Sequence, residues 1–134
     1  MRGIPFAELK VGDQGSLSKT VSEHDIYTYA GLTGDFNPIH IDPEFGKMVG
    51  LGGVILHGLC ALGFVAKTVT DLAGDPGRLK KLKCRFASPV KIDDTISISG
   101  EVTDVQGGRA TVALKVVNQA GLEVEKSVSA EVEV

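Results

Sequence analysis

The second half of the chain alternates between apolar and polar positions. In 82–87, Leu82, Cys84 and Phe86 share one phase, while Lys83 and Arg85 share the other. In 95–103, Ile96, Ile98 and Val102 stand against Thr95, Ser97, Ser99 and Glu101. Val112, Leu114 and Val116 repeat the pattern in 109–117. In the last segment, Val124, Val128, Ala130 and Val132 oppose Glu123, Glu125, Ser129 and Glu131. Successive side chains of a strand point to opposite faces. Period two over four segments therefore predicts an antiparallel sheet with one buried face. Turn residues fall between the segments, at 92–94, 106–108 and 118–121. A weaker strand at 14–20 can join the sheet.

The first half is spaced for helices. Ser22 followed three residues later by Asp25 forms a capping-box start. Ile26, Tyr29 and Ala30 then recur at helical intervals, and Gly31 and Gly34 weaken and end the run. This predicts a helix over about 23–32. Pro43 opens a second short turn or helix. Segment 56–74 is apolar almost all round, with Lys67, Thr70 and Asp71 its one polar stripe. Such a helix is expected to be buried on nearly all sides, with the sheet curled round it. Gly58, Ala61, Gly63 and Ala66 are small, so backbone or ligand can approach it closely. The expectation is one α+β domain over residues 1–134, without repeats or a linker.

Composition narrows the partners. A net charge of −3 argues against a dedicated nucleic-acid binder. Cys60 and Cys84 lie far apart in apolar runs, which predicts free thiols in a reducing compartment, the cytoplasm. Glu8 and Lys10 interrupt the first residues before a leader-like apolar run forms. The longest apolar stretch, 59–66, is far too short to span a bilayer.

Candidate chemistry gathers in "GDFNPIHID", residues 34–42. Pro38 fixes its own φ and holds Asn37 extended, so a rigid turn can aim Asp35 and His40 at one spot. A histidine supplies a base near neutral pH, and a carboxylate can orient it, hold a water or deliver a proton. On spacing alone the competing reading is a capped surface loop. Asn37 can brace the loop or polarise a water. Gly58 opens the apolar helix, where the first N–H groups lack intrahelical partners and can stabilise a developing oxyanion. Tight helix–sheet packing explains that glycine equally well. His57 reads as an orienting or packed histidine. His40, Asp42 and His57 superficially match a two-histidine, one-carboxylate metal site, but that signal is weak and no metal or other cofactor is expected. Six cations, Arg78, Lys80, Lys81, Lys83, Arg85 and Lys91, occur in 78–91 with no acid between them. They suit an anionic partner, or they pair with the Glu-rich last strand.

These features, in this order, resemble the MaoC-like (R)-specific enoyl-CoA hydratases, or type 2 hydratases. The resemblance rests on "YAGLTGDFNPIHIDPEFG", then "VILHGLC", then "LKCRFASPVKIDDTISISGEV". It implies a hot-dog fold, an antiparallel sheet wrapped around a long central helix. It implies reversible syn addition of water to trans-2-enoyl-CoA, giving (R)-3-hydroxyacyl-CoA. By resemblance, Asp35 and His40 are the catalytic pair, the Gly58 N–H polarises the thioester carbonyl, and Asn37 supports the site. Gly63 and Ala66 would line an acyl tunnel, and Lys83 and Arg85 would meet coenzyme A phosphates. A homodimer or larger homo-oligomer is implied. The chain departs from the family in having Val54 where proline often precedes "ILHG", and Ala66 where a hydroxyl or bulkier residue is common. It also resembles hydroxyacyl-carrier-protein dehydratase subunits, which run the same chemistry in reverse. A hot-dog thioesterase and a non-catalytic acyl-thioester-binding subunit are the remaining alternatives.

Overall fold

The computed structural model describes residues 9–134. Five strands form one antiparallel sheet: β1 (Gln14–Thr20), β2 (Leu79–Phe86), β3 (Thr95–Gln106), β4 (Arg109–Val117) and β5 (Glu123–Glu133). Their spatial order is β1-β3-β4-β5-β2. Among the described residues four α-helices precede β2: α1 (Glu23–Thr33), α2 (Pro38–Ile41), α3 (Pro43–Met48) and α4 (Gly58–Ala73). The α+β arrangement expected from the alternation is the one observed.

Local chemistry sets the helix ends. The Asp25 N–H donates to the Ser22 hydroxyl and the Ser22 N–H donates to the Asp25 carboxylate, so the capping box closes α1. Gly34 ends α1 at φ 79°, a left-handed position that glycine takes without strain. Pro38 and Pro43 open α2 and α3. The single turn α2 was not anticipated; Asn37 caps it by accepting from the Ile39 N–H.

The sheet's inner face packs on α4 and forms two clusters. One, around Val21, Ile26, Leu56, Ala61, Val65, Ile98 and Val116, surrounds the first half of α4. The other, around Val69, Leu72, Val102, Val112 and Val132, surrounds its second half. Ala61, Val65, Thr68, Val69 and Leu72 are the buried stripe. The expected all-round burial of α4 is not observed. Leu59 is 62% exposed and Gly63 is exposed, because five strands of one chain cover only one side of the helix.

The last strand departs from strict alternation. Leu114 pairs with Val128, but Val116 pairs with Glu125. Lys83 pairs with Ser129, but Arg85 pairs with Lys126. Both neighbours advance two residues while β5 advances three, so β5 carries one extra residue. Ser127 has φ 52°, in the left-handed region, at that bulge. The phase inverts at Glu125, and a second register shift opposite Val116 and Val117 leaves Val124 buried as well. Glu125, expected on the polar face, is 1% exposed.

Gly46 in α3 meets the backbone of Gly53 so closely that a Cβ would stand 1.9 Å from the Gly53 carbonyl oxygen. This contact holds α3 against the segment leading into α4. Gly46→Ala should cost about 3 kcal/mol through overpacking against backbone that has little room to yield. Ser22→Ala should cost about 1 kcal/mol, the usual value of a lost cap. Urea unfolding of the two variants checks this ranking; the reverse order would contradict the interlock.

Candidate active site

Asp35, His40, His57 and Gly58 come from three elements and line one cavity of about 580 Å³. That volume suits a small organic group. Tyr29, Ile55, Ala61, Phe86, Val124 and Glu125 contribute to the same wall.

His40 lies on α2, buried, and its Nδ1 sits 2.7 Å from the Ile55 carbonyl oxygen. A carbonyl only accepts, so Nδ1 carries the proton, and in the neutral ring Nε2 holds a lone pair. That Nε2 lies 4.0 Å from Asp35 Oδ2. The gap exceeds a direct hydrogen bond and lets one water bridge the two groups. The Asp35 carboxylate is 54% exposed while the His40 ring is 9% exposed. The Asn37 N–H donates to Asp35 Oδ1 at 3.3 Å, and this bond leaves Oδ2 facing the histidine.

His57 supports this arrangement from beneath. Its ring stacks on that of His40, with centroids 3.7 Å apart and planes 19° from parallel. Its Nε2 donates to the Asp35 carbonyl at 3.0 Å, and its Nδ1 is buried without a partner among the described residues. Tyr29 packs on the other side of His57 at 4.7 Å, and burial pushes its phenol pKa up, so it stays neutral near pH 7.

One donor atom each from Asp35, His40 and His57 lies within 4.8 Å of the others. An ion must sit in the plane of each imidazole at about 2 Å. Two nearly parallel rings send their lone pairs side by side, so one ion would lie out of plane for both. This cluster is better built to hold water than a metal. Asp42, the carboxylate of the sequence-level metal reading, instead caps α3 by accepting from the Glu44 and Phe45 N–H groups.

Gly58 is the first residue of α4, and His57 caps it without a side-chain bond. Its N–H thus belongs to the helix end that carries partial positive charge. A Cβ at Gly58 would come within 2.9 Å of the Phe86 ring. Only glycine leaves the ring that close to the helix start.

Other expected residues lie outside this wall. Asn37 caps α2 and shapes the Asp35 turn without lining the cavity. Gly63 and Ala66 sit away from the buried stripe of α4 and do not line the cavity. Lys83 and Arg85 project from the outer face of β2, in opposite phase to Cys84. Of the other cations, Lys80 and Lys81 approach Glu133 and Glu131 at 3.9 and 3.6 Å, the cross-strand pairing weighed from sequence. Arg78 is buried and donates to the carbonyls of Glu133 and Ala73, tying the end of α4 to β5. Cys60 and Cys84 are free and half-buried, and burial raises both thiol pKa values.

Glu125 is the cavity residue that the alternation misplaced. Both its carboxyl oxygens are buried without a hydrogen-bond partner among the described residues. Desolvation pushes its pKa up from 4.5 to about 7. One signal was available: strict period two would have put Lys126 in phase with Val124 and Val128, inside the core.

Residues 10–124 match the family described as the MaoC like domain. The (R)-specific enoyl-CoA hydratase of Rhodospirillum rubrum is 34% identical over 99 residues, 73% of this chain and 69% of that protein. The 3-hydroxybutyryl-CoA dehydratase of Methylorubrum extorquens is 30% identical over 92% of this chain and 80% of its own. The unliganded R-hydratase PhaJ1 of Pseudomonas aeruginosa superposes with a TM-score of 0.89 at 29% identity, covering 98% of this chain and 86% of that one. Its fold is the hot dog. Longer eukaryotic relatives are matched over a small share of their length, 22% for the peroxisomal enoyl-CoA hydratase 2 of Arabidopsis thaliana.

Two measurements follow from the geometry. Nitrogen-15 NMR of the neutral His40 ring should find its proton on Nδ1; a proton on Nε2 would remove the water-binding lone pair. The second concerns Glu125. Its folded pKa exceeds the ordinary value, so between pH 4.5 and about 7 the folded chain binds more protons than the unfolded one. Wild-type stability relative to Glu125→Gln should therefore fall as pH rises across that window and then level. A difference that stays flat with pH would mean the carboxyl is not desolvated.

Proposed function

The chain belongs to the MaoC-like family and is a hydro-lyase, and from that premise we propose that it hydrates trans-2-enoyl-CoA reversibly to (R)-3-hydroxyacyl-CoA. The observation that carries this reading is the 4.0 Å gap between Asp35 Oδ2 and His40 Nε2 at the cavity wall. In the proposed reaction a water bridges the two groups. His40 Nε2 accepts a proton from it and the water oxygen bonds C3 of the enoyl group. The C2–C3 π electrons move onto the thioester oxygen, where the Gly58 N–H stabilises the enolate. A proton held by the Asp35–His40 pair then passes to C2, so the pair ends with the protonation it began with. Water and proton arrive from one side, which makes the addition syn. Asn37 and His57 hold the pair in register.

The anionic end of the substrate stays outside the cavity. Phe86 lines the cavity, and Arg85 and Lys83 precede it on the outer face of β2. Neither cation has an ion pair among the described residues, and Arg85 is opposite Lys126. This cluster supports capture of coenzyme A phosphates. The same charge also suits an acidic carrier protein, which keeps the carrier-protein dehydratase as a second reading. Leu59 and Gly63 leave an uncovered apolar side on α4. A second copy of the chain is the proposed cover, with Gly63 and Ala66 small enough for close approach. Among the described residues no helix is long and apolar enough to cross a membrane.

Asp35→Asn and His40→Ala should each lower turnover of crotonyl-CoA by about two to four orders of magnitude, while substrate binding is retained. Loss of the conjugated enoyl-thioester absorbance, with chiral analysis of the product, measures it. Turnover close to wild type in either variant would refute the pair. Thioester hydrolysis in place of hydration would point to a thioesterase, and binding without any turnover to a non-catalytic subunit.

A further inference from the structure

Glu125 is a carboxyl in a place built for hydrocarbon. Directly opposite residues of neighbouring strands share a face. The row through Glu125 runs Leu17, Ile98, Val116, Glu125 and Phe86 across all five strands. Every other member is apolar, and Ile98 and Val116 are fully buried. The row's last member, Phe86, touches the start of α4 at Gly58. Glu125 therefore sits on the inner face of the sheet, one strand away from the wall beside the thioester-binding N–H. It lines the same cavity as Asp35 and His40.

Nothing among the described residues satisfies this group. Both oxygens are buried and neither has a partner among the described residues. Cys84, on the neighbouring strand, is close enough for the Glu125 charge to raise its thiol further, so it offers no compensating positive charge. An unpartnered buried carboxyl is a standing cost, of the kind that a folded chain keeps where another molecule supplies the missing partner. The cavity is the route by which such a partner arrives.

Resting on the hydratase reading above, we propose that Glu125 is a specificity-determining residue, which selects acyl chains bearing a hydroxyl group beyond the reacting double bond. A hydroxyl is the group that fits either form of the carboxyl. It accepts from the protonated acid and donates to the carboxylate, and Glu125 titrates close to neutral pH. A plain alkyl chain in the same place leaves the carboxyl unpaired and removes its last access to water. Sites built around a buried polar group discriminate strongly against analogues that lack its partner.

The test uses trans-2-enoyl-CoAs of four to eight carbons, each with and without a terminal hydroxyl, on wild type, Glu125→Gln and Glu125→Val. Wild type should favour the hydroxylated member of at least one pair by about tenfold to a hundredfold in kcat/KM. Glu125→Gln keeps a hydrogen-bonding end and should keep the preference. Glu125→Val should reverse it, by gaining on the plain chain and losing on the hydroxylated one. A structural role alone would move both substrates together. Wild type that hydrates plain and hydroxylated chains equally at every length, with Glu125→Val unchanged in preference, overturns this proposal and leaves the hydratase reading standing. Failure of all three proteins to hydrate any chain, crotonyl-CoA included, overturns both.

Discussion

The hydrogen bond from His40 Nδ1 to the Ile55 carbonyl is the constraint on which the site depends. It joins α2 to the segment that feeds α4, and the Ile55 N–H returns a bond to the Ile39 carbonyl at 3.0 Å. Those two bonds tie the Asp35 turn to the helix start that carries Gly58. They also decide which imidazole nitrogen keeps its lone pair. His57 fills the space beneath, stacked on His40 and donating to the Asp35 backbone. An imidazole, a carboxylate and a helix N-terminus are thus brought together by backbone hydrogen bonds rather than by direct bonds to one another.

The site also holds two carboxyls in opposite surroundings. Asp35 is half in water and braced by the Asn37 N–H. Glu125 is buried among apolar neighbours and raised to about 7. Environment alone sets a half-exposed carboxylate apart from one that burial leaves poised between its two forms. The chain therefore presents a charged rim and a switchable interior within one cavity.

Much of this was legible in the residues. The strand at 14–20, the capped helix from Glu23 and the turn opened by Pro43 follow from local rules that the fold does not override. "GDFNPIH" announced its pair because proline rigidity acts within a few residues. What stayed hidden depended on counting or on distance. Alternation assumes constant phase, and one extra residue near Ser127 inverted it for Glu125. The single turn α2 has no periodicity to read. Gly46 against Gly53, and Gly58 against Phe86, are contacts between segments whose approach no local pattern encodes. The apolar outer side of α4 misled for a related reason: the pattern reports that a face avoids water, without saying whose surface covers it.

The bulge in β5 has a consequence for how this cavity can change over generations. Ordinarily a wall is rewritten by substitution, one side chain for another. Here the lining beside Phe86 is set by how many residues stand between Glu125 and Val128. Two stand there, and the bulge lets both Glu125 and Val128 face inward; a β5 of the same length that paired without the bulge would turn Glu125 out to solvent and bring Lys126 to the inner face. The chemistry of this pocket is thereby linked to backbone geometry as well as to spelling, and a substitution that disfavours the left-handed backbone at Ser127 is a route to exchanging one charged lining residue for another.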